Sequence, residues 1–493
     1  MNPLRYDTLP EQGAYVLRQG TERFLQFGEG NFLRGFADCF IDQMNERLGL
    51  DSKVIVVQPI EAGLADQINA QQGLYHLYLR GGVPGDERVE KRLISAISRA
   101  VDPYRAFAEF LACARQPDLR FLISNTTEAG ISCRTDDRLG DRPAASFPGK
   151  LTQLLWERYQ HYGEQAGKGF VILSCELIDH NGRELRACVE TYARRWELPD
   201  GFFQWLDREN LFCDTLVDRI ITGYPRADAE ALNRENGVED GLLDTGEPFA
   251  FWAIEGPDWL KEALPFEKAG LPVAVVSDQS YYKKRKVRIL NGAQTGISLA
   301  AYLMGCDISL DYMARPDCVS FVRRIIYDEV IPFLQLDEQD MLQFADEVMV
   351  RLNNPFIRHS LLAISLNSVS KWKARVWPSL LAYWQGKGQV PPCIAFSLAA
   401  LLEFYRIRQK GPDGYFGLRN GQPYRIQDDN DVLEFFWNHR ADAPRQLVRV
   451  CAQQILPEIA AIPPLAEQTA ELVRAMREHG INEVFASVTA PLD

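Results

Sequence analysis

The sequence predicts an α/β protein in which an N-terminal doubly wound parallel sheet precedes a mainly α-helical second domain. Through the first half, short apolar runs alternate with amphipathic stretches, the pattern of a parallel sheet covered by helices. From about residue 290 onward β-rich runs become rare and long helical patterns dominate. At 493 residues the chain also exceeds the size at which a single hydrophobic core stops growing. Two domains are expected, residues 1–285 and 286–493.

The expected strands are "RFLQF" (23–27), "KVIVVQ" (53–58), "RFLIS" (120–124), "GFVILSC" (169–175) and "VAVVS" (273–277). Between the first two, Phe32, Phe36, Phe40 and Met44 recur every four residues, which buries one face of a helix. In the second half, "CVSFVRRIIYDEVIPFLQL", "RHSLLAISLNSVSKWKARVWPSLLAYW" and "IAFSLAALLEFYRIR" read as long helices. The segment 226–247 is polar and broken by glycine, so it reads as an exposed insertion or connection.

A composition of 46% hydrophobic and 25% charged residues is that of an ordinary folded chain. The formal charge of -13 disfavours nucleic acid as a partner, since that binding depends on many Lys and Arg contacts with phosphates. No apolar run approaches the roughly 20 residues needed to cross a bilayer. The start, "MNPLRYDTLPEQG", lacks the apolar core of a signal peptide, so a cytoplasmic location without a membrane partner is expected. The 10 cysteines contain no C-x-x-C pair and the 6 histidines no H-x-x-x-H spacing beside acids, which argues against a disulfide framework and against a bound metal.

The first strand runs into "FGEGNFLRGF", which places Gly28 and Gly30 in the turn and opens the Phe-rich helix at Asn31. Glycines let the backbone approach a pyrophosphate, and the helix's unpaired N–H groups and positive dipole end favour its charge. Strand, turn, helix and second strand in this order mark a Rossmann-type dinucleotide site. Leu33 occupies the place of the third glycine of G-x-G-x-x-G, and Arg34 beside it is expected to reach a phosphate oxygen. The second strand ends at Gln58 with neither the usual ribose-binding acid nor an arginine for a 2′-phosphate, so NAD is favoured over NADP. The third run ends in Asn125, Thr126, Thr127 and Glu128, at the carboxyl edge where open α/β sheets bind ligands. The same letters fit a polar turn with a helix cap.

"KVRILNGAQTG" (286–296) sets an amine and two carboxamides at intervals of five and three, on what reads as a strand-to-helix junction. Reducing a ketone with NADH leaves the oxygen negative, and the site needs an acid and a hydrogen-bond donor aimed at it. Lys286 can be that acid if burial or its cationic neighbours Lys283, Lys284 and Arg285 lower a pKa of roughly 10.4 toward neutrality. Asn291 is the donor, and Gln294 shares its face at i, i+3. Taken alone, the run also fits a solvated basic surface with Asn291 as a helix cap.

"LQFGEGNFLRGF", "SNTTEAGI", "CELIDHNG", "TLVDRIITGYP", "KVRILNGAQTG" and "NNPFIRHSLLAISLNSVSKWKAR" occur in the order found in the long-chain mannitol dehydrogenases, which the chain resembles over nearly its whole length. "CELIDHNG" and "SNTTEAGI" single out the branch acting on ketouronates. The resemblance implies a metal-free active site in the cleft between a Rossmann domain and a helical domain. It also implies a Lys-x-x-x-x-Asn-x-x-His motif whose lysine is the acid/base group. Lys286 and Asn291 fall on its first two positions, and Gln294 stands where the family has histidine. Glutamine hydrogen-bonds a hydroxyl but carries no proton near neutral pH. A second oxyanion asparagine is implied in "CELIDHNG", at Asn181.

A uronate's carboxylate needs a cation, and Lys371 and Arg375 share a helical face at i, i+4, with Arg358 and His359 nearby in "NNPFIRH". These residues also fit a solvated basic face, and His359 a core histidine. The implied activity is reversible NADH-dependent reduction of D-tagaturonate to D-altronate. Reduction of fructuronate to mannonate and a non-redox sugar-acid epimerase on the same fold are the alternatives. The expected partner is a small-molecule ketouronate or aldonate.

Overall fold

The computed structural model describes residues 1–9, 14–127, 129–163 and 165–489. The chain divides into two compact units: Met1–Arg80 with Arg88–Ser280, and Gly81–Glu87 with residues from Tyr281 onward.

Six parallel strands form the main sheet of the first unit: β1 (Thr21–Phe27), β2 (Ser52–Val57), β3 (Ile97–Val101), β4 (Phe121–Ser124), β5 (Val171–Ser174) and β6 (Leu211–Cys213). Their spatial order is β3-β2-β1-β4-β5-β6, the doubly wound order whose direction reverses between β1 and β4. β2, β4 and β5 are buried throughout, as strands covered on both faces must be. Side chains alternate between two cores: Phe24, Val54, Val56 and Ile123 pack with the Phe36–Phe40–Met44 stripe on one face, while Leu25, Phe27, Ile55 and Leu122 pack with Leu151 and Trp205 on the other.

Four of the five expected strands lie in this sheet. The fifth, Val273–Val276, belongs to a separate sheet with Thr215–Asp218 and Phe251–Glu255. β3 escaped the apolar pattern because its centre is polar: Ser98 Oγ and Arg99 Nε both donate to Glu22 on the neighbouring part of the sheet.

The segment 226–247, expected as an exposed insertion, is instead built into the unit. Ala229–Asn236 is a helix, and Asp244–Gly246 pairs in parallel with Tyr75–Val83. Its polar residues are satisfied inside, since Asp240 accepts from the His76 backbone N–H at 2.7 Å and from Gln71 Nε2 at 2.9 Å.

Asp38, on the helix after β1, and Asp244 are both fully buried, and each has one oxygen without a hydrogen-bond partner. Burial pushes each carboxyl up to about 7, against the opposing charge of Arg34. Between roughly pH 4 and pH 7 the native chain therefore holds protons that the unfolded chain has released, so stability falls as pH rises through that window and the loss is complete above it. Asp38→Asn removes the buried charge. It is expected to raise Tm by roughly 3 °C at pH 8 and to leave it nearly unchanged at pH 5, where the wild-type carboxyl is already neutral. Thermal unfolding at the two pH values checks this, and a uniform shift at both would contradict it.

Starting at Ser280, the last residue assigned to the first unit, and continuing into the second unit, Ser280–Lys286, Val287–Asn291 and Gly292–Leu303 follow one another as a single helical rod, with a π turn in the middle. The long helical pattern at 358–384 is three helices, Leu361–Ile364, Ser368–Arg375 and Trp377–Lys387. The chain breaks at Asn367, which is left-handed (φ 54), and again before Pro378, at the second position of the third helix. A small antiparallel sheet, Gln409–Gly411, Gly414–Arg419 and Gln422–Ile426, interrupts the otherwise helical unit. No helix among the described residues is long and apolar enough to cross a membrane.

Candidate active site

At the carboxyl end of β1, Gly28 takes φ +122, a region closed to most side chains, and a Cβ there would lie 3.1 Å from the Asn125 carbonyl oxygen. Gly30 is exposed, faces open space and precedes the helix starting at Asn31, which is also exposed. The turn therefore presents bare backbone at a helix N-terminus beside the point where strand order reverses, and a dinucleotide's pyrophosphate fits there.

Arg34 does not face this turn. It is 2% exposed, and its three nitrogens donate to Glu29 O, Leu242 O and Asn31 Oδ1. Its guanidinium braces the turn from beneath instead of reaching a phosphate. Gln58 is likewise internal: Nε2 donates to Ile60 O and Glu61 O, and Oε1 accepts from the Ala65 N–H. That loop leaves Ile60 61% exposed past the end of β2, an apolar surface suited to an adenine ring.

Beyond β4, Thr127 is exposed, and Glu128 lies outside the described residues. The turn is held by buried Glu176, which sequence reasoning missed. Its carboxyl accepts from Ser124 Oγ at 3.1 Å, from the Thr126 N–H at 3.1 Å and from Thr126 Oγ1 at 3.2 Å, and burial raises its pKa.

Asn181, expected as an oxyanion donor, is 1% exposed and fully engaged with backbone. Nδ2 donates to Glu176 O and Thr215 O, and Oδ1 accepts from the Gly182 and Thr215 N–H groups. A donor already spent twice has nothing left for a substrate oxygen. Asn181 ties the segment that follows β5 to the start of the strand Thr215–Asp218.

In the second unit, Lys286 does not sit at a strand-to-helix junction. The helix begins at Ser280, and Lys286 is its last residue before the π turn Val287–Asn291. An i→i+5 turn stacks residues five apart, and the α turn that follows does the same for residues three apart. Lys286, Asn291 and Gln294 thus line one face, and all three are half-buried. The basic run before them is committed elsewhere: Lys284 Nζ donates to Leu334 O, while Arg285 pairs with Asp340 and lies over the Phe344 ring.

The helix Ser368–Arg375 packs against this rod at Gly292, where a Cβ would sit 3.2 Å from the Arg375 carbonyl oxygen. Arg375 Nη1 lies 3.5 Å from Thr295 Oγ1. Lys371 is half-buried on the same helix, and Lys373 points away to Glu458. Burial, and then the charge of Lys371, hold His359 below the ordinary histidine range. Arg358 is exposed. Arg288, also missed in the sequence, donates from Nη1 to Ala374 O at 2.6 Å and to Arg375 O at 3.1 Å. Burial lowers the pKa of both Arg288 and Arg375, with no carboxylate opposing it. Half-buried guanidiniums with no acidic partner among the described residues suit an anionic ligand.

Among the described residues, no group of His, Cys, Asp and Glu side chains is arranged to hold a metal ion, and all ten cysteines are free.

Residues 22–268 match the mannitol dehydrogenase Rossmann domain, and residues 278–435 match the mannitol dehydrogenase C-terminal domain. The chain belongs to the mannitol dehydrogenase family. It is 42% identical over 480 residues to an altronate oxidoreductase of Yersinia enterocolitica, covering 95% of this chain and 97% of that protein. It is also 42% identical over 475 residues to an altronate oxidoreductase of Escherichia coli, covering 94% and 96%. The fold is shared with substrate-free D-sorbitol dehydrogenase (TM-score 0.82, 20% identity, 98% of this chain and 100% of that one). It is shared too with Pseudomonas fluorescens mannitol 2-dehydrogenase in complex with NAD and D-mannitol (TM-score 0.71, 20% identity, 98% and 99%). As a member of the mannitol dehydrogenase family, the chain is an NAD-dependent oxidoreductase of the polyol and sugar-acid class.

Proposed function

We propose that this chain interconverts D-tagaturonate and D-altronate, with Lys286 as the general acid/base. The observation carrying the proposal is the π turn that aligns Lys286, Asn291 and Gln294 on a rod packed against the helix of Lys371 and Arg375. Relatives at 42% identity that are altronate oxidoreductases support the substrate.

When bound, NAD supplies the two-electron oxidation or reduction of the carbinol carbon. Gly28, Gly30 and Asn31 hold its pyrophosphate, and Thr127 lines the carboxyl edge next to them. In the reductive direction Lys286 Nζ gives a proton to the substrate oxygen as it turns negative, while the Asn291 amide donates a hydrogen bond to it. In the oxidative direction Lys286 takes that proton back. Gln294 bonds a neighbouring hydroxyl, as does His359, neutral at pH 7. Arg375 and Lys371 grip the carboxylate.

The test follows NADH absorbance with each ketouronate in turn. Stoichiometric loss of NADH, faster with tagaturonate than with fructuronate, is the expected result. The reverse preference would reassign the substrate, and product formed without loss of NADH would replace the redox reading with an epimerase. Gln294→His is expected to preserve or raise turnover, because histidine meets the same hydroxyl. A fall in the same assay would mean that the pocket is adapted to glutamine.

A further inference from the structure

We propose that Arg288 is a positioning residue that fixes the distance between the oxyanion donor and the carboxylate grip by bracketing the π turn to the end of the Ser368–Arg375 helix. The inference rests on the proposed function, in which the reacting oxygen meets Lys286 and Asn291 and the carboxylate meets Arg375.

The last four carbonyls of a helix have no partner within it, and a cation near them also meets the negative end of the helix dipole. Ala374 O and Arg375 O are two such carbonyls, and Arg288 Nη1 reaches both, at 2.6 and 3.1 Å. Arg288 lies inside the turn Val287–Asn291, two residues after Lys286. Residues two apart on a helix face different ways, so the turn that aligns Lys286 with Asn291 directs Arg288 toward the neighbouring helix. Gly292, immediately after the turn, permits the close approach, since a Cβ there would stand 3.2 Å from Arg375 O. One guanidinium therefore links the backbone that presents Asn291 to the backbone that presents Arg375.

The full chain is compared with Arg288→Ala and Arg288→Lys by two measurements. Hydrogen exchange should accelerate in peptides spanning 287–292 and 368–376 in the alanine variant, and less in the lysine variant, which keeps an N–H donor group without the guanidinium's planar fork. In steady-state kinetics, the alanine variant should raise KM for the sugar acid about tenfold and displace the pH profile of kcat, while KM for NAD stays at the wild-type value. The lysine variant should fall between. Unchanged exchange overturns the bracket. Faster exchange with wild-type KM and pH profile reduces it to a packing contact and overturns the positioning role. If wild-type protein oxidises no sugar acid, the proposed function falls, and exchange alone then decides: lost protection sustains the bracket and retained protection sinks it.

Discussion

Replacing Lys286 by alanine is expected to lower turnover of altronate by about a thousandfold, with NAD affinity within about twofold of wild type. The two effects separate because the residues involved sit on different elements. The proposed pyrophosphate cradle is the Gly28–Gly30 turn after β1, whereas Lys286 ends the helical segment Ser280–Lys286. Lys286→Arg sharpens the test. Arginine keeps the positive charge but holds its proton at every working pH, so it stabilises an oxyanion without exchanging a proton. If proton transfer is the role, the arginine variant should be nearly as slow as the alanine variant; if charge alone matters, it should recover most of the rate. Steady-state rates and titration of NADH fluorescence measure both quantities, and near-normal turnover of Lys286→Ala would remove the lysine from the mechanism.

The π turn that aligns Lys286 with Asn291 was hidden behind the reading of a strand-to-helix junction, yet Lys286, Asn291 and Gln294 were legible in the sequence as a group from their residue types and the motif they share with the family. Arg288 was not, because its direction depends on that π turn, and a period of 3.6 residues gives no hint of one. Arg34 and Asn181 show a second kind of blindness. Sequence motifs put both beside the site, yet what a polar side chain faces is set by distant backbone, here the carbonyl of Leu242 for Arg34 and that of Thr215 for Asn181. β2, β4 and β5 were readable because strands buried on both faces are nearly continuously apolar, and β1 because Phe24, Leu25 and Phe27 are buried in it. β3 carries Ser98 and Arg99 for its link to Glu22, and β6 is only three residues long, so neither has that signature.

Arg375→Ala should raise KM for altronate roughly a hundredfold while lowering kcat far less. A charge-assisted hydrogen bond to a carboxylate is worth about 2–3 kcal/mol, which corresponds to a factor of roughly 30 to 150 in affinity. The carboxylate keeps its charge from bound substrate to transition state, so losing its partner weakens both nearly equally and appears in KM. Unfolding cannot account for such a loss. Among the described residues, the Arg375 side chain has just a long contact to Thr295 Oγ1 at 3.5 Å and no acid to offset the burial that disfavours its charge, so Tm should hold steady or rise. Arg375→Lys should recover part of the affinity, since lysine supplies the charge without the paired N–H groups. An unchanged KM for Arg375→Ala together with a raised one for Lys371→Ala would move the grip one helical turn toward the N-terminus. If neither variant shifts KM, no cation on this helix reads the carboxylate, and the sugar-acid assignment loses its physical basis.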